Sequence, residues 1–171
     1  TAQNTANRAA SAAATAQGIA EGAQTDATEA LGTLSDIASD SKFTPVEKQS
    51  ALNEWNIIAA EKPVNVAQAL AFSVPSTDYA NAFQSLANYL NNGATWTSGT
   101  PAWLSNLTTT QTIVGTDFRA TWMTYYDKRT ALLNAIAAKA KALADTAQTT
   151  ANAKTTLWAT LAAAKLAAKS G

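Results

Sequence analysis

The N-terminal part of the sequence carries apolar residues at a spacing that alternates between four and three residues. Eleven positions from Ala2 to Ile37 follow this alternation over five heptads, and nine of the eleven are alanine. Such a pattern is typical of a helix that lays one narrow seam against a second helix. Because alanine is small, this pattern predicts a close contact between the two helices, with no room for a ligand. The predicted seam positions include Ala6, Ala9, Ala13, Ala16, Ala20, Ala23, Ala27, Ala30 and Leu34.

A second and looser 4-3 series lies in the C-terminal part, where one helix is predicted from Thr116 to Lys169. Thr150 and Lys154 interrupt this series. Two arms of similar character and nearly equal length favour an antiparallel hairpin within one chain. Parallel association of arms from several chains is the alternative. The predicted seam positions of the second arm include Ile136, Ala140, Leu143, Ala147, Leu157 and Leu161.

The segment between the arms carries the signals of several shorter helices. Thr44 can cap a helix that opens with proline, and Glu47 completes a capping box with it. Pro63 is expected to end this helix. A further helix is expected to begin near Ser76. Helical patterning lapses over residues 93–115, and a loop of this length is often functional.

Together these patterns predict an all-α fold, in which a head of about three to four helices is carried on a long alanine-rich antiparallel coiled coil. The predicted divisions are an N-terminal arm over residues 1–38, a head over 39–128 that includes the loop at 93–115, and a C-terminal arm over 129–171. The 4-3 spacing is already present at the first residues of the sequence, so we expect the chain to be a piece of a longer polypeptide.

The composition argues against several functional classes. There is no cysteine and no histidine, so disulfides, thiolate nucleophiles, the usual general base and the commonest metal ligands are missing. Twelve basic residues balance twelve acidic ones without clustering, which is a poor match for nucleic acid. No stretch approaches the roughly 20 continuous apolar residues of a membrane span. We therefore expect no catalysis, no cofactor, no nucleic-acid partner and no membrane insertion.

The break after the first arm contains a weak candidate for a calcium site. Five residues fall at positions 1, 5, 8, 9 and 12 of an EF-hand loop, but the usual ligand at position 3 is replaced by Ala38 and the usual glycine at position 6 by Ser41. Helix capping explains the acidic residue at position 12 without a metal and is the preferred interpretation. The five residues are Asp36, Asp40, Phe43, Thr44 and Glu47.

Three glutamates of the first head helix, Glu47, Glu54 and Glu61, recur every seven residues and therefore share one helix face. Nothing in the surrounding sequence marks a pocket. Lys48 and Lys62 lie close along the chain, so an ordinary solvated face is expected rather than an acid–base pair.

The aromatic residues fall into two groups. Five have the spacing of a helical core, and Tyr126 and Arg129 are expected at its edge. Trp96 and Trp103 lie in the 93–115 loop, where they could contact a glycan or receptor, or fold back over the head. Folding back is favoured because large aromatic surfaces are costly to leave in water. The five predicted core aromatics are Trp55, Phe83, Phe118, Trp122 and Tyr125.

Three segments carry a family resemblance: Thr44-Pro45-Val46-Glu47-Lys48 with Glu54-Trp55 downstream, Ile113-Val114-Gly115-Thr116-x-Phe118-Arg119 followed by Tyr125-Tyr126-Asp127-x-Arg129, and the stretch Leu132–Asp145. Over about residues 35–153 the chain resembles a helical region of the large tail-tip, or host-specificity, proteins of long-tailed bacteriophages and prophages. The third segment is the most specific part of this resemblance.

The resemblance implies a non-enzymatic component of the distal tail of a virion, in a family whose members are usually trimeric. Its partners would be other tail-tip or tail-fibre modules, and a host surface receptor is a further candidate. The favoured function is therefore structural, to space or present modules that contact the host. Two alternatives remain open. One is a receptor- or glycan-binding module that uses the 93–115 loop, and the other is a bacterial surface or secretion-associated coiled coil.

Overall fold

The computed structural model describes residues 1–170, with side chains through Lys169; Gly171, the last residue of the predicted C-terminal arm, lies outside the described residues. The described range is mainly helical and has one two-stranded sheet, which confirms the predicted all-α class. None of its helices is long and apolar enough to cross a membrane. The elements are α1 (Ala2–Leu34), β1 (Lys42–Phe43), α2 (Pro45–Ala71), α3 (Thr77–Leu90), α4 (Ala102–Ser105), β2 (Gln111–Thr112) and α5 (Gly115–Ser170).

The longest helices, α1 and α5, pack side by side and run in opposite directions. The Arg119 guanidinium donates to the carbonyl oxygen of Ile37, and that of Arg129 donates to the carbonyl oxygen of Ala23. At 1.5 Å per residue, the 33 residues of α1 span about 50 Å and the 56 residues of α5 about 84 Å. Of the predicted seam of α1, the structure buries Ala6, Ala16, Ala20, Ala23, Ala27, Ala30 and Leu34, and half-buries Ala9 and Ala13.

On α5, the buried positions differ in part from the predicted seam. Leu143 is exposed where α5 runs beside α1, so the prediction is wrong for this residue. Leu157 and Leu161 are exposed beyond Ala151, where the given sequence has no residue of α1 to face them, so their place in the seam stays a prediction. The 4-3 alternation of buried residues instead passes through alanines such as Ala144 and Ala151. The reason is size, because a leucine placed between two closely packed backbones would push them apart. Of the other predicted positions, Ile136 and Ala140 are buried and Ala147 is half-buried.

Helix α5 extends well beyond the end of α1. Among the side chains described through Lys169, Ala151 is the last buried one, and residues 152–169, which we call the overhang, are exposed. The two helices also start to pair earlier on α5 than the predicted arm boundary at residue 129, because α5 already faces α1 at Arg119, inside the predicted head.

Helix α2 continues through Pro63, where the sequence predicted its end. A proline inside a helix removes a backbone hydrogen bond and costs about 3 kcal/mol. The turns that follow bury Asn65 and Ala69, and the Asn65 amide donates to the hydroxyl of Tyr79 at 3.3 Å. This packing offsets the local cost, so tertiary contacts override the stop signal.

The thick part of the core lies where α2, α3 and α4 fold against the first third of α5. All five aromatic residues predicted for the core are buried, which confirms that prediction. The ring centroids of Trp55 and Phe83 are 5.1 Å apart and those of Phe83 and Tyr125 are 6.1 Å apart, within the range of favourable aromatic pairs. Tyr126 and Arg129, expected at the edge, are buried as well.

A small sheet that the sequence did not predict joins two connections. Strands β1 and β2 pair antiparallel with Lys42 opposite Thr112, and strands of two residues are too short to show a period in the sequence. The sheet holds the connection after α1 against the start of α5. There Gly115 touches the backbone of Ala38 so closely that an added Cβ would lie 2.1 Å from the carbonyl oxygen. Only glycine fits this contact.

We expect Gly115→Ala to lower the free energy of unfolding by about 1–3 kcal/mol, because the backbone of Ala38 must shift to make room. Gly18→Ala is the matched control, since Gly18 is also helical and nothing lies within 4 Å of its added Cβ. That control should gain about 0.5–1 kcal/mol. Urea unfolding followed by circular dichroism measures both, and equal effects would contradict the close contact.

Candidate functional site at the junction of the long helices

The buried guanidinium of Arg129 holds α1, α2 and α5 together. Its Nε and Nη2 atoms each donate to a carboxylate oxygen of Glu61 at 2.8 Å, which makes a two-point pair. Nη1 donates to the carbonyl oxygen of Ala23 at 3.1 Å, and Nη2 reaches the carboxylate of Asp26 at 3.4 Å. Burial disfavours the charge of Arg129, but its pairing with Glu61 outweighs this and raises the pKa of the guanidinium. We call these four residues the junction.

Two tyrosines beside the junction extend its polar layer. The Tyr126 hydroxyl donates to a carboxylate oxygen of Glu54, and the hydroxyls of Tyr125 and Tyr79 share a hydrogen bond of 3.4 Å. Burial is the main cause that raises the pKa of both Tyr125 and Tyr126 far above the ordinary value of 10.0. Both hydroxyls therefore stay protonated at physiological pH and act as fixed hydrogen-bonding groups.

A second polar cluster forms at the start of α2. The carboxylate of Glu47 accepts hydrogen bonds from the backbone N–H of Thr44 at 2.8 Å, from the Thr44 hydroxyl at 2.7 Å and from the backbone N–H of Ala38 at 2.9 Å. Burial disfavours the charge, but these bonds outweigh it and hold the pKa of Glu47 below its ordinary value of 4.5. Ala38 has a φ of 54°, which is unfavourable for a residue with a side chain. Glu47 thus fixes a strained turn as well as capping the helix.

The candidate calcium ligands are not assembled into a metal site. The Glu47 carboxylate is occupied by the capping box, and Asp40 accepts a hydrogen bond from the backbone N–H of Lys42 at 3.0 Å. The Asp36 carboxylate lies beside the hydroxyl of Ser35. Across residues 1–170, no group of three or more Asp, Glu, His or Cys residues could hold a metal ion.

Lys48 is buried beside the capping box and ties α2 to the long loop. Its ammonium donates to the carbonyl oxygen of Asn106 at 3.0 Å and lies 5.9 Å from the ring centre of Phe43. Burial lowers the pKa of this lysine. The contact joins the start of α2 to the connection between α4 and β2.

The two loop tryptophans pack inward and are half-buried. The Trp96 ring meets those of Trp55 and Phe83 edge to face, with centroid distances of 5.4 and 5.8 Å. Trp103 stands edge to face on Tyr89 at 5.2 Å. The loop also contains α4 and β2, so it is more ordered than the sequence indicated. These contacts favour a role in covering the core.

Sequence reasoning missed the role of Glu54 and Glu61. Their seven-residue spacing predicted a shared solvated face, yet both carboxylates bind α5, through Tyr126 and Arg129. The spacing itself was the available signal, because Tyr126 and Arg129 lie three residues apart and so also share a helix face. Pairing the two faces required knowing that α2 and α5 are neighbours.

A cleft of about 360 Å³ opens beside the junction, and four carboxylates line it: Asp26, Glu29, Glu54 and Glu61. Three of these already bind Arg129 or Tyr126. The arrangement therefore stabilises the meeting of three helices and leaves an acidic surface beside it.

Arg129 of the junction, Thr44 and Glu47 of the capping box, and Gly115 belong to the segments that resemble phage tail proteins. A curated relative confirms that relationship. A tail fiber protein of Enterococcus phage phiEF24C is 40% identical to this chain over 119 residues. The match covers 70% of this chain and 6% of the phage protein, so the chain corresponds to a small part of that relative's length. No protein-family model matches the chain. No solved structure matches it either.

We expect Arg129→Met to lower the free energy of unfolding by about 2 kcal/mol, because it leaves Glu61 without its partner and removes four hydrogen bonds to α1 and α2. The loss is smaller than for a fully buried pair, since Glu61 can partly turn to water. Lys128→Met is the control on the same helix. Its partner Asp78 is exposed, so the change should stay within about 0.5 kcal/mol. Similar losses in chemical denaturation would contradict a special role for Arg129.

We expect Glu47→Gln to lower stability by about 1–2 kcal/mol at pH 7, because a neutral amide accepts hydrogen bonds more weakly than a carboxylate. The folded-state pKa of Glu47 is depressed, so the wild-type advantage is present above pH 4.5 and is lost as the pH falls through the folded value. Unfolding free energies from pH 7 to pH 3 measure this. Thr44→Ser keeps the hydroxyl and should follow the wild-type profile, whereas a constant Glu47→Gln deficit at all pH values would refute the assignment.

Proposed function

We propose that this chain is a structural segment of a phage tail fibre or tail tip, located in the distal part of the virion tail. The relationship to a phage tail fiber protein carries this proposal. In this assignment, residues 1–38 and 129–171 are the arms of an antiparallel coiled-coil stalk. Residues 39–128 are the head. Its partners are other modules of the tail, and the segment spaces or presents the modules that touch the host.

The junction supports a spacing role because it fixes how the stalk enters the head. Arg129 binds α1 and α2 from α5, and Gly115 locks the start of α5 onto the turn after α1. Three helices joined by buried, directional contacts keep one relative orientation. A rigid joint of this kind holds neighbouring modules at a set distance and angle.

A non-catalytic role is supported by the kind of relative and by the use of the polar residues. The relative is a tail fiber protein. The half-buried carboxylates of Glu54 and Glu61 and the buried tyrosines and arginine of the described chain bind one another across helices. The chain also contains neither histidine nor cysteine.

The alternative of a receptor- or glycan-binding loop is less well supported. Trp96 and Trp103, the proposed contact residues, pack against Trp55 and Tyr89 of the head. Their surfaces serve the core, and we assign host contact to other modules of the full-length protein. The alternative of a bacterial surface or secretion protein is disfavoured by the phage relative. A homotrimer in the full-length protein is compatible with either assignment of the loop.

We expect Trp96→Ala and Trp103→Ala each to lower the free energy of unfolding by about 2 kcal/mol, because half-buried aromatic contacts are lost. Trp158→Ala is the matched control, since Trp158 is 69% exposed, and it should leave stability within about 0.5 kcal/mol. Thermal unfolding of the chain, together with host adsorption of a phage that carries each change, tests the proposal. Adsorption lost while stability is intact would sink the structural assignment and establish recognition by the loop.

A further inference from the structure

All five charged residues of α2 turn towards the rest of the fold, where they are buried or half-buried. Each has a partner there, which is a backbone N–H, a backbone carbonyl, a tyrosine, an arginine or an aromatic ring. A helix at a protein surface normally keeps its charged residues on the face that meets water. Helix α2 does the reverse. The five residues are Glu47, Lys48, Glu54, Glu61 and Lys62.

The opposite side of α2 is exposed and carries no charge. Eleven residues from Val46 to Ala71 are exposed and form what we call the outer face; eight of them are apolar and three are amides. Ile57, Val64 and Leu70 are 53%, 54% and 80% exposed. Apolar residues that are gathered on one exposed helix face are typical of an interaction site, whereas scattered single ones are not.

The outer face also has the 4-3 spacing of a helix that packs against another helix. Six of its exposed residues follow this spacing without a break. All six side chains are small, β-branched or an amide, so a second helix can approach closely along the face. The six residues are Asn53, Ile57, Ala60, Val64, Ala67 and Ala71.

The partner of the outer face must itself be uncharged, because a charge buried against apolar side chains without a partner is costly. An anionic lipid surface is a poor match, since the face has no basic residue. On the other helices, described through Lys169, exposed charged residues leave uncharged stretches of at most 12 residues, such as residues 9–20 of α1. The outer face continues for 26 residues, from 46 to 71. The same face of a second copy therefore matches it in both polarity and length.

We propose that the outer face of α2 is a contact between copies of this chain, in which α2 of one copy packs against α2 of a second copy. Both copies use the same face, so the contact is isologous and closes as a pair about a two-fold axis. The charged residues of α2 keep their partners within each copy, so the pair forms without breaking those bonds.

Glu54 and Glu61 border the outer face on one side and decide the direction of the pair. If the two copies of α2 ran antiparallel, Glu54 of one copy would lie near Glu61 of the other, where like charges repel. If they run parallel, Gln49 and Asn56 of one copy lie beside Glu54 and Glu61 of the other, and the amide groups can donate to the carboxylates. The pair is therefore parallel.

A parallel pair also aligns the long helices of the two copies. Glu54 and Glu61 meet Tyr126 and Arg129 in the same order along the chain, so α5 runs in the direction of α2. In the pair, α5 of both copies then points the same way. Copies with one common direction suit a fibre, which has two different ends.

The first test is the solution mass of the chain by analytical ultracentrifugation, up to about 1 mM. We expect a dimer with an apparent Kd of about 100 µM, because a contact of one helix from each copy is small. Ile57→Glu places two like charges opposite each other and should raise the apparent Kd at least about tenfold. Met123→Glu is the matched control, since Met123 is 51% exposed on α5, and it should leave the dimer unchanged. A chain that stays monomeric throughout, or an equal effect of the control, would overturn the contact and leave the tail assignment standing.

Single cysteines test the contact and its direction independently of any loss of stability, since the chain has no cysteine of its own. Ala67→Cys faces its counterpart in a parallel pair and should form a disulfide between copies under mild oxidation, seen on a non-reducing gel. In an antiparallel pair that overlaps fully, Ala67 lies opposite Ser50, about 25 Å along the helix from its counterpart. Ser85→Cys, exposed on α3, is the control and should not cross-link.

Ala60→Cys lies near the centre of the outer face and should cross-link in either direction. Cross-linking of Ala60→Cys without Ala67→Cys would overturn the parallel arrangement. Failure of both variants to cross-link, or equal cross-linking of Ser85→Cys, would overturn the contact itself.

Discussion

The close approach of α1 to α5 sets the geometry of the whole molecule. Alanine lines the buried face of α1 and much of the facing side of α5, so the two backbones lie nearer than larger side chains would allow. A contact made of alanine buries little surface per residue, and a single long helix is marginal in water. Further stability must therefore come from contacts outside the alanine seam, and the aromatic core and the junction provide these contacts at one end of it.

Arg129 shows how contacts at this end stabilise the packing of α1 against α5. Contacts between alanine methyl groups have no preferred direction, so on their own they would allow one helix to shift along the other by a turn. The guanidinium of Arg129, bound to Glu61 and to the carbonyl oxygen of Ala23, fits only one register of the two helices. The capping box and the Gly115 contact fix the neighbouring turn in the same way. Specific polar contacts at one end thus set the register for the apolar contact along its length.

The all-α class, the capping box and the aromatic core could be predicted from local patterns. Residue spacing and turn chemistry depend only on residues that are close together in the sequence. What could not be predicted depends on which elements are neighbours. Glu61 was assigned to a solvated face because only the fold brings Arg129 to it. The 4-3 spacing fits two neighbouring lines of residues on α5, one through Leu143 and one through Ala144. The sequence placed Leu143 in the seam, and only the close packing against the alanines of α1 decides for Ala144. Pro63 was expected to end α2, but packing overrode it.

The antiparallel arrangement of α1 and α5 has a mechanical consequence. Ala2 and Ala151 lie at the same end of the pair, so a force that separates them acts across the alanine contacts one turn at a time. When small contacts break one after another, the force needed to separate the helices is low. When the force acts along the helix axis, all the contacts must break together and the force needed is high. Under such a force the contact between α1 and α5 would separate first near Ala2 and Ala151. The separation would stop at Arg129, which makes the first strong bonds to α1 and α2.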